Sequence, residues 1–264
     1  MTAEILGRLG FDAASKQERP YIAEDFVFDP ARFPSARALR VVHEEVMLEE
    51  TPLALVREIH LEPSERRHAA IRLSLALCWD GFRDAMSLLA RVPSRFQRAF
   101  PAAATVNAAE RYGAGDFGLA WSWSGEGEPE VLAFVLNNVL VTLEGHDAGS
   151  IVRALAQELA QALRALRTGG PYAEAPPGRL ARAGRRAGDP PRLRPGATLD
   201  LGVLGEEGMN LFFLASTGAV NRWPDRTEAW YYRAGADKGR QRITLFRAGK
   251  GILPAMERLA VAID

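Results

Sequence analysis

The side chains best suited to metal binding or proton transfer are the four histidines, His43, His60, His68 and His146. His43-Glu44-Glu45 opens like the helix of a zinc protease, but that chemistry needs a second imidazole four residues on, where Met47 stands. His60 and His68 flank a polar stretch at 62–67 that reads as a turn. They can meet across it as a two-histidine metal site, or simply face solvent on a hairpin. Glu44, Glu45, Glu49 and Glu50 bring carboxylates close together near an expected helix end. Paired carboxylates do acid–base work only when their surroundings differ, and a solvated acidic face is the plainer reading. Cys78 is the single cysteine, so an internal disulfide and a cysteine-based zinc site are excluded. It ends an apolar run, as a buried inert thiol would.

Other familiar chemistry lacks its residues. Gly113-Ala-Gly115 precedes a strand pattern instead of following one, so it is no dinucleotide or phosphate loop. The stretch from Gly202 to Gly208 has no lysine for a P-loop, and no Gly-x-Ser-x-Gly elbow occurs. No catalytic residue, cofactor-binding residue or metal ligand is therefore assigned, and no cofactor is expected. Two polar features remain. Asn137 and Asn138 interrupt the most apolar run in the chain, and a buried amide there must be hydrogen-bonded. Asn221, Arg222, Trp223 and Arg226 form a polar, aromatic loop that could be an interaction surface, because Trp and Arg dominate binding hot spots.

These residues must be carried by regular elements. Residues 1–34 read as an extended arm, with a short helix at 3–9 and with Tyr21, Phe26, Phe28 and Phe33 available to tuck against a domain. Leu39, Val42, Val46 and Met47 fall near helical spacing after Ser35, so 35–49 is expected to be a helix. A strand at 52–61, a turn at 62–67 and an alternating strand at 71–77 follow. Asp80 can then cap a helix carrying Phe82, Ala85, Met86, Leu89 and Val92 on one face. The pattern recurs as a strand at 117–123, a turn at 124–129 and a long strand at 130–143. Asp147 is placed to cap a second helix over 148–167. This predicts an α+β domain at 35–168: an antiparallel sheet of about four strands, built from a ββα repeat and covered on one face by two helices.

Gly169-Gly170 then ends the helix, and 169–191 is rich in Pro, Gly, Ala and Arg, the composition of a linker. Its arginines, including Arg179, Arg182, Arg185 and Arg186, have no interleaved aromatics, so nucleic acid is not the expected partner. From 192 to 264 short strand candidates recur with turns between them, which predicts an all-β sandwich. The runs Arg194-Pro-Gly-Ala-Thr-Leu199, Ala215-Ser-Thr-Gly-Ala-Val220, Ala229-Trp-Tyr-Tyr-Arg-Ala-Gly235 and Gly239-Arg-Gln-Arg-Ile-Thr-Leu245 resemble bacterial immunoglobulin-like domains of the PKD or cadherin-like sort. The resemblance covers about 70 residues and implies a non-catalytic spacer or adhesion module outside the cytoplasm. Acidic clusters for Ca²⁺ are missing, so it carries fold and not metal.

Composition sets the outer bounds. The chain has 264 residues, enough for a large core or two, and 33 Lys and Arg balance 33 Asp and Glu. No global field therefore steers it to nucleic acid or an anionic membrane. No run of 18 apolar residues exists, and Met1-Thr-Ala-Glu-Ile-Leu-Gly7 is not the start of a signal peptide, although a signal removed earlier would fit equally well. Periplasmic or extracellular placement is favoured slightly over cytoplasmic. The leading expectation is a non-catalytic interaction or accessory protein of the cell envelope, or a subunit of a larger assembly, whose partner is another protein. The alternatives are a small hydrolase-like enzyme using His60, His68 or the glutamate cluster, and nucleic-acid binding through the basic linker.

Overall fold

The structure, a computed structural model, describes residues 2–63, 70–96, 105–122, 127–145, 148–172, 190–204 and 208–264. The turns expected at 62–67 and 124–129 lie partly outside these residues. The linker expected at 169–191 lies outside them over 173–189, and His68, His146 and the Asp147 cap lie wholly outside. The chain divides into two units: Met1–Tyr172 with Gly251–Leu253, and Ala173–Lys250 with Pro254–Asp264.

The first unit opens with two short helices, α1 (Thr2–Arg8) and α2 (Phe11–Ala14), then a two-residue strand, β1 (Tyr21–Ile22). Strands β2 (Leu39–Glu50), β3 (Leu53–Pro63) and β4 (Ile71–Cys78) form an antiparallel meander that leads into helix α3 (Phe82–Phe96). Strands β5 (Thr105–Ala108), β6 (Phe117–Ser122), β7 (Val131–Leu136) and β8 (Val139–Gly145) form a second meander and lead into helix α4 (Gly149–Arg164). A last short strand, β9 (Thr168–Gly169), pairs with β1. Strands β4 and β8 lie side by side, and the whole makes one antiparallel sheet of seven strands in the order β2-β3-β4-β8-β7-β6-β5.

The expected four-stranded α+β domain, covered on one face, is not what forms. Among the described residues strands make up 47% and helices 21%, so the fold is mostly β. The two long helices also pack on opposite faces of the sheet. Successive strand residues point to opposite sides, and Leu73, Leu75 and Leu77 pack with Leu155, Leu159 and Leu163 of α4. Ala76 and Cys78 pack instead with Phe82, Met86 and Leu89 of α3. This also removes the ββα repeat. A rotation that exchanges two antiparallel neighbours runs perpendicular to the sheet and keeps a helix on the same face, so α3 and α4 are not related copies.

Two element expectations change for local reasons. Residues 39–50 form the edge strand β2 and not a helix. It is largely exposed, so no alternation marks it, while its paired valines favour extended backbone. The run at 130–143 is two strands, because Asn137, at φ 52°, turns the chain in two residues between β7 and β8. β7 is buried along its whole length, since it has a helix over each face. The arm contributes Ile22, Phe26, Phe28 and Phe33 to the α4 side of the core.

The regular elements among the described residues of the second unit are strands: β10 (Arg192–Leu193), β11 (Thr198–Leu204), β12 (Asn210–Ala215), β13 (Ala219–Trp223), β14 (Arg226–Arg233), β15 (Gly239–Ala248) and β16 (Ala255–Ile263). One sheet has the order β10-β16-β15-β12 and the other β11-β14-β13. Both contribute to a single apolar cluster that includes Leu201, Tyr232, Ile243, Leu245, Leu259 and Val261, consistent with a β-sandwich. Pairing is antiparallel throughout except for β10 against β16. Among the described residues no helix is long and apolar enough to cross a membrane.

Candidate functional site

At one end of the seven-stranded sheet a cleft of about 500 Å³ is lined by residues 15–21, by Asp80, Phe82 and Arg83 before and within α3, and by residues 169–171. The β1–β9 ribbon frames it: Tyr21 pairs with Gly169 and Ile22 with Thr168. Gly81 sits at φ 101°, and a Cβ there would lie 2.5 Å from the Tyr21 hydroxyl. Glycine is thus what lets the tyrosine close against the start of α3.

Asn138 fixes the ribbon to the sheet. It is fully buried; its side-chain oxygen accepts the Ile22 N–H at 2.8 Å, and its amide donates to the Cys78 carbonyl and to the Tyr172 hydroxyl, both at 2.9 Å. Tyr172 in turn donates to the Ile22 carbonyl at 2.7 Å. Its ring lies 4.6 Å from Trp79 and 5.2 Å from Tyr21, centroid to centroid. Burial pushes the Tyr172 hydroxyl up to about 12, against the opposing hydrogen bond from Asn138. Asn137 turns outward, and its N–H donates to Asp116 at 3.2 Å.

The charges of the cleft are of both signs. The Tyr21 hydroxyl is pushed up by burial and then by the carboxylates of Asp80 and Asp84. Asp84 is itself pushed up by burial and by Asp80, with Arg83 acting the other way. Arg19 donates to Gln17 at 2.7 Å, stands 4.0 Å from Asp116 and lies 5.9 Å from the Phe82 ring centre. Neither Tyr21 nor Arg19 stands out in the sequence. Asp80 does, but as a helix cap, and its carboxylate accepts no hydrogen bond among the described residues. Their one signal is collective: Asp80-Gly81 and Gly169-Gly170 each mark a point where backbone can approach closely.

The histidines and glutamates lie elsewhere. His43 pairs directly with His60 across β2 and β3, their rings 5.2 Å apart. His60 is 3.1 Å from Glu58, which also holds Arg72 at 2.6 Å, and His43 is 3.9 Å from Glu45. Glu44 points to the other face, where it pairs with the buried Arg57. Glu49 pairs with Arg91 at 3.5 Å. These side chains do not line the cleft, and among the described residues no group of three or more ligands could hold a metal.

In the second unit Asn221, Arg222 and Trp223 lie on β13, the edge strand of the three-stranded sheet, and Arg226 begins β14 after a two-residue turn. The Arg222 guanidinium lies 4.8 Å from the Trp230 ring centre, and Trp230 lies 4.6 Å from Phe213. Trp223 packs on Tyr231 at 4.4 Å. Asn221, Arg222 and Arg226 are exposed, and Trp223 is half-buried. Linker arginines 179, 182, 185 and 186 are outside the described residues.

Set against family models, curated proteins and solved structures, the chain finds no match in any of the three.

Proposed function

We propose that the chain is a non-catalytic interaction protein, an accessory subunit of a larger assembly, and that it binds another protein through the β13–β14 hairpin. The observation that carries this reading is the aromatic contact on the hairpin's outer face, Trp223 against Tyr231 beside the exposed Asn221, with Arg222 over Trp230 on the face turned to the core. Trp, Tyr and Arg give the most binding energy per residue, because they bury large rigid surfaces and keep a polar group for orientation. An edge strand also leaves backbone donors and acceptors for a partner strand.

Two further facts support it. In an immunoglobulin constant-type sandwich the third, sixth and seventh strands share one sheet, and the second, fifth and fourth share the other. The second unit has the same partition, with its first strand beside its seventh. This favours the resemblance of residues 192–264 to such modules, and with it an envelope setting. The second unit also carries 15 Lys and Arg against 10 Asp and Glu, so the expected partner surface is acidic.

A photo-reactive amino acid at Asn221 or Arg226, introduced in the cells that make the protein, tests the reading. One discrete protein adduct is expected, lost with Trp223→Ala and absent when the reactive group sits at the exposed Asp29. No adduct from either hairpin position, or the same adduct from Asp29, overturns it.

A further inference from the structure

We propose that the cleft beside Tyr21 binds a small zwitterion, a molecule of free amino-acid size carrying one ammonium and one carboxylate. This site is separate from the β13–β14 hairpin and does not rest on the interaction reading.

Size comes first. Ligand pockets run from roughly 300 to 1,000 Å³, and a cleft of about 500 Å³ suits a small molecule. The charge of the lining narrows the class. Lys16, Arg19 and Arg83 stand against Glu18 and Asp80. Among the described residues the side chains of Lys16, Asp80 and Arg83 make no ion pair, and Arg19 has only a 4.0 Å approach to Asp116. A simple anion would meet Asp80 and Glu18 unneutralised, and a simple cation would meet three basic side chains. A ligand with one charge of each sign answers both.

The placement of the groups gives the ligand a direction. Asp80 acts on Tyr21 and on Asp84, two groups already disfavoured in their charged forms by burial, with only Arg83 opposing at Asp84. An ammonium seated there supplies the missing positive charge and can rest against the Tyr21 ring, as cations do on aromatic faces. Arg19 offers a planar fork of donors, the group best matched to a carboxylate. A metal ion is the poorer occupant, because no group of three ligating side chains exists among the described residues.

The experiment uses the whole chain and four named probes: L-alanine, L-glutamate, N-acetyl-L-alanine and L-alaninamide. Calorimetry is expected to show saturable one-to-one binding of at least one free amino acid, weakened by about tenfold or more when the amine is acetylated or the carboxylate amidated. Asp80→Asn should weaken the amino acid but no longer discriminate against the acetylated form. Arg19→Gln should do the same for the amide. Both positions are solvent-accessible, so the unliganded melting temperature should stay near that of wild type. A measurement on wild type alone guards against variants that fail to fold: backbone amide shifts on adding ligand should be confined to residues 15–21, 80–83 and 169–171. Absence of saturable binding by both free amino acids, equal binding of the blocked analogues, or shifts centred elsewhere would overturn the proposal.

Discussion

The side-chain oxygen of Asn138 accepts a hydrogen bond from the backbone N–H of Ile22 at 2.8 Å, joining the tip of a hairpin to a strand 116 positions earlier in the chain. Both residues are fully buried, so each lost partner becomes an unsatisfied polar group and not a hydrated one. Asn138→Ala strands the Ile22 N–H and removes a donor from the Cys78 carbonyl. We expect a loss of about 2–4 kcal/mol, read as a lower urea midpoint at unchanged m. A loss under about 1 kcal/mol would show that the amide is not what ties the arm to the sheet.

The same network bears on Cys78. Its thiol is fully buried, and desolvation pushes its pKa upward, with Asp84 and Asp80 adding to the effect. Reactivity needs a thiolate with access to reagent, and the native state offers neither. An aromatic disulfide reagent should label folded protein on the order of 1,000-fold more slowly than protein in urea, because labelling must wait for opening. The Asn138 amide donates to the Cys78 carbonyl, and the Asn138 carbonyl accepts the Cys78 N–H at 2.8 Å. Asn138→Ala should therefore speed labelling. Equal rates for folded and unfolded protein would refute the buried-thiol account.

How much of this is legible in the sequence follows from which residues have an environment that leaves a pattern. The alternation of Ile71, Leu73, Leu75 and Leu77 marks β4, and the helical spacing of Ile151, Leu155, Leu159 and Leu163 marks α4, because each buries one consistent face. β2 has no consistently buried face, so Leu39, Val42 and Val46 fit a helix as well as a strand. β7 is buried on both faces, so Asn137 is the only sign that the chain reverses, through its tolerance of positive φ. The cleft leaves no local trace. Tyr21 and Asp80 are brought together by a two-residue ribbon and one glycine, and neither has a period or a motif.

Glu58 provides a test by pH. Partial burial would push its carboxyl up, but hydrogen bonds from Arg72 and His60 outweigh this and hold it below the usual range. A carboxyl with a lower pKa folded than unfolded adds stability that is complete above its unfolded value, near 4.3, and fades as pH falls through the folded one. Arg72 is half-exposed, so screening keeps the contribution below about 1 kcal/mol. Glu58→Gln should lower stability near neutral pH by up to that amount. The gap to wild type should close between about pH 5 and pH 3 in paired denaturation curves. A gap that widens on acidification would reverse the sign assigned here.

Arg57 and Glu44 make a very unequal pair in the first unit. Arg57 is 3% exposed and also donates to the Gly251 carbonyl at 2.8 Å, whereas the Glu44 side chain is 41% exposed. The two deletions should therefore differ in an order opposite to their burial. Arg57→Met removes the charge, keeps most of the volume on the α4 side of the sheet and lets Glu44 hydrate. Replacing a buried ion pair by apolar groups of similar size is often close to neutral, so a cost of about 1 kcal/mol is expected, with the Gly251 carbonyl among the groups that lose a donor. Glu44→Ala touches the more exposed residue but takes one carboxylate away from a buried guanidinium, and about 2–3 kcal/mol is expected. Chemical denaturation of both variants decides the matter. If Arg57→Met is the more damaging, the guanidinium acts there chiefly as a packed hydrogen-bond donor, and its charge is of little consequence to the fold.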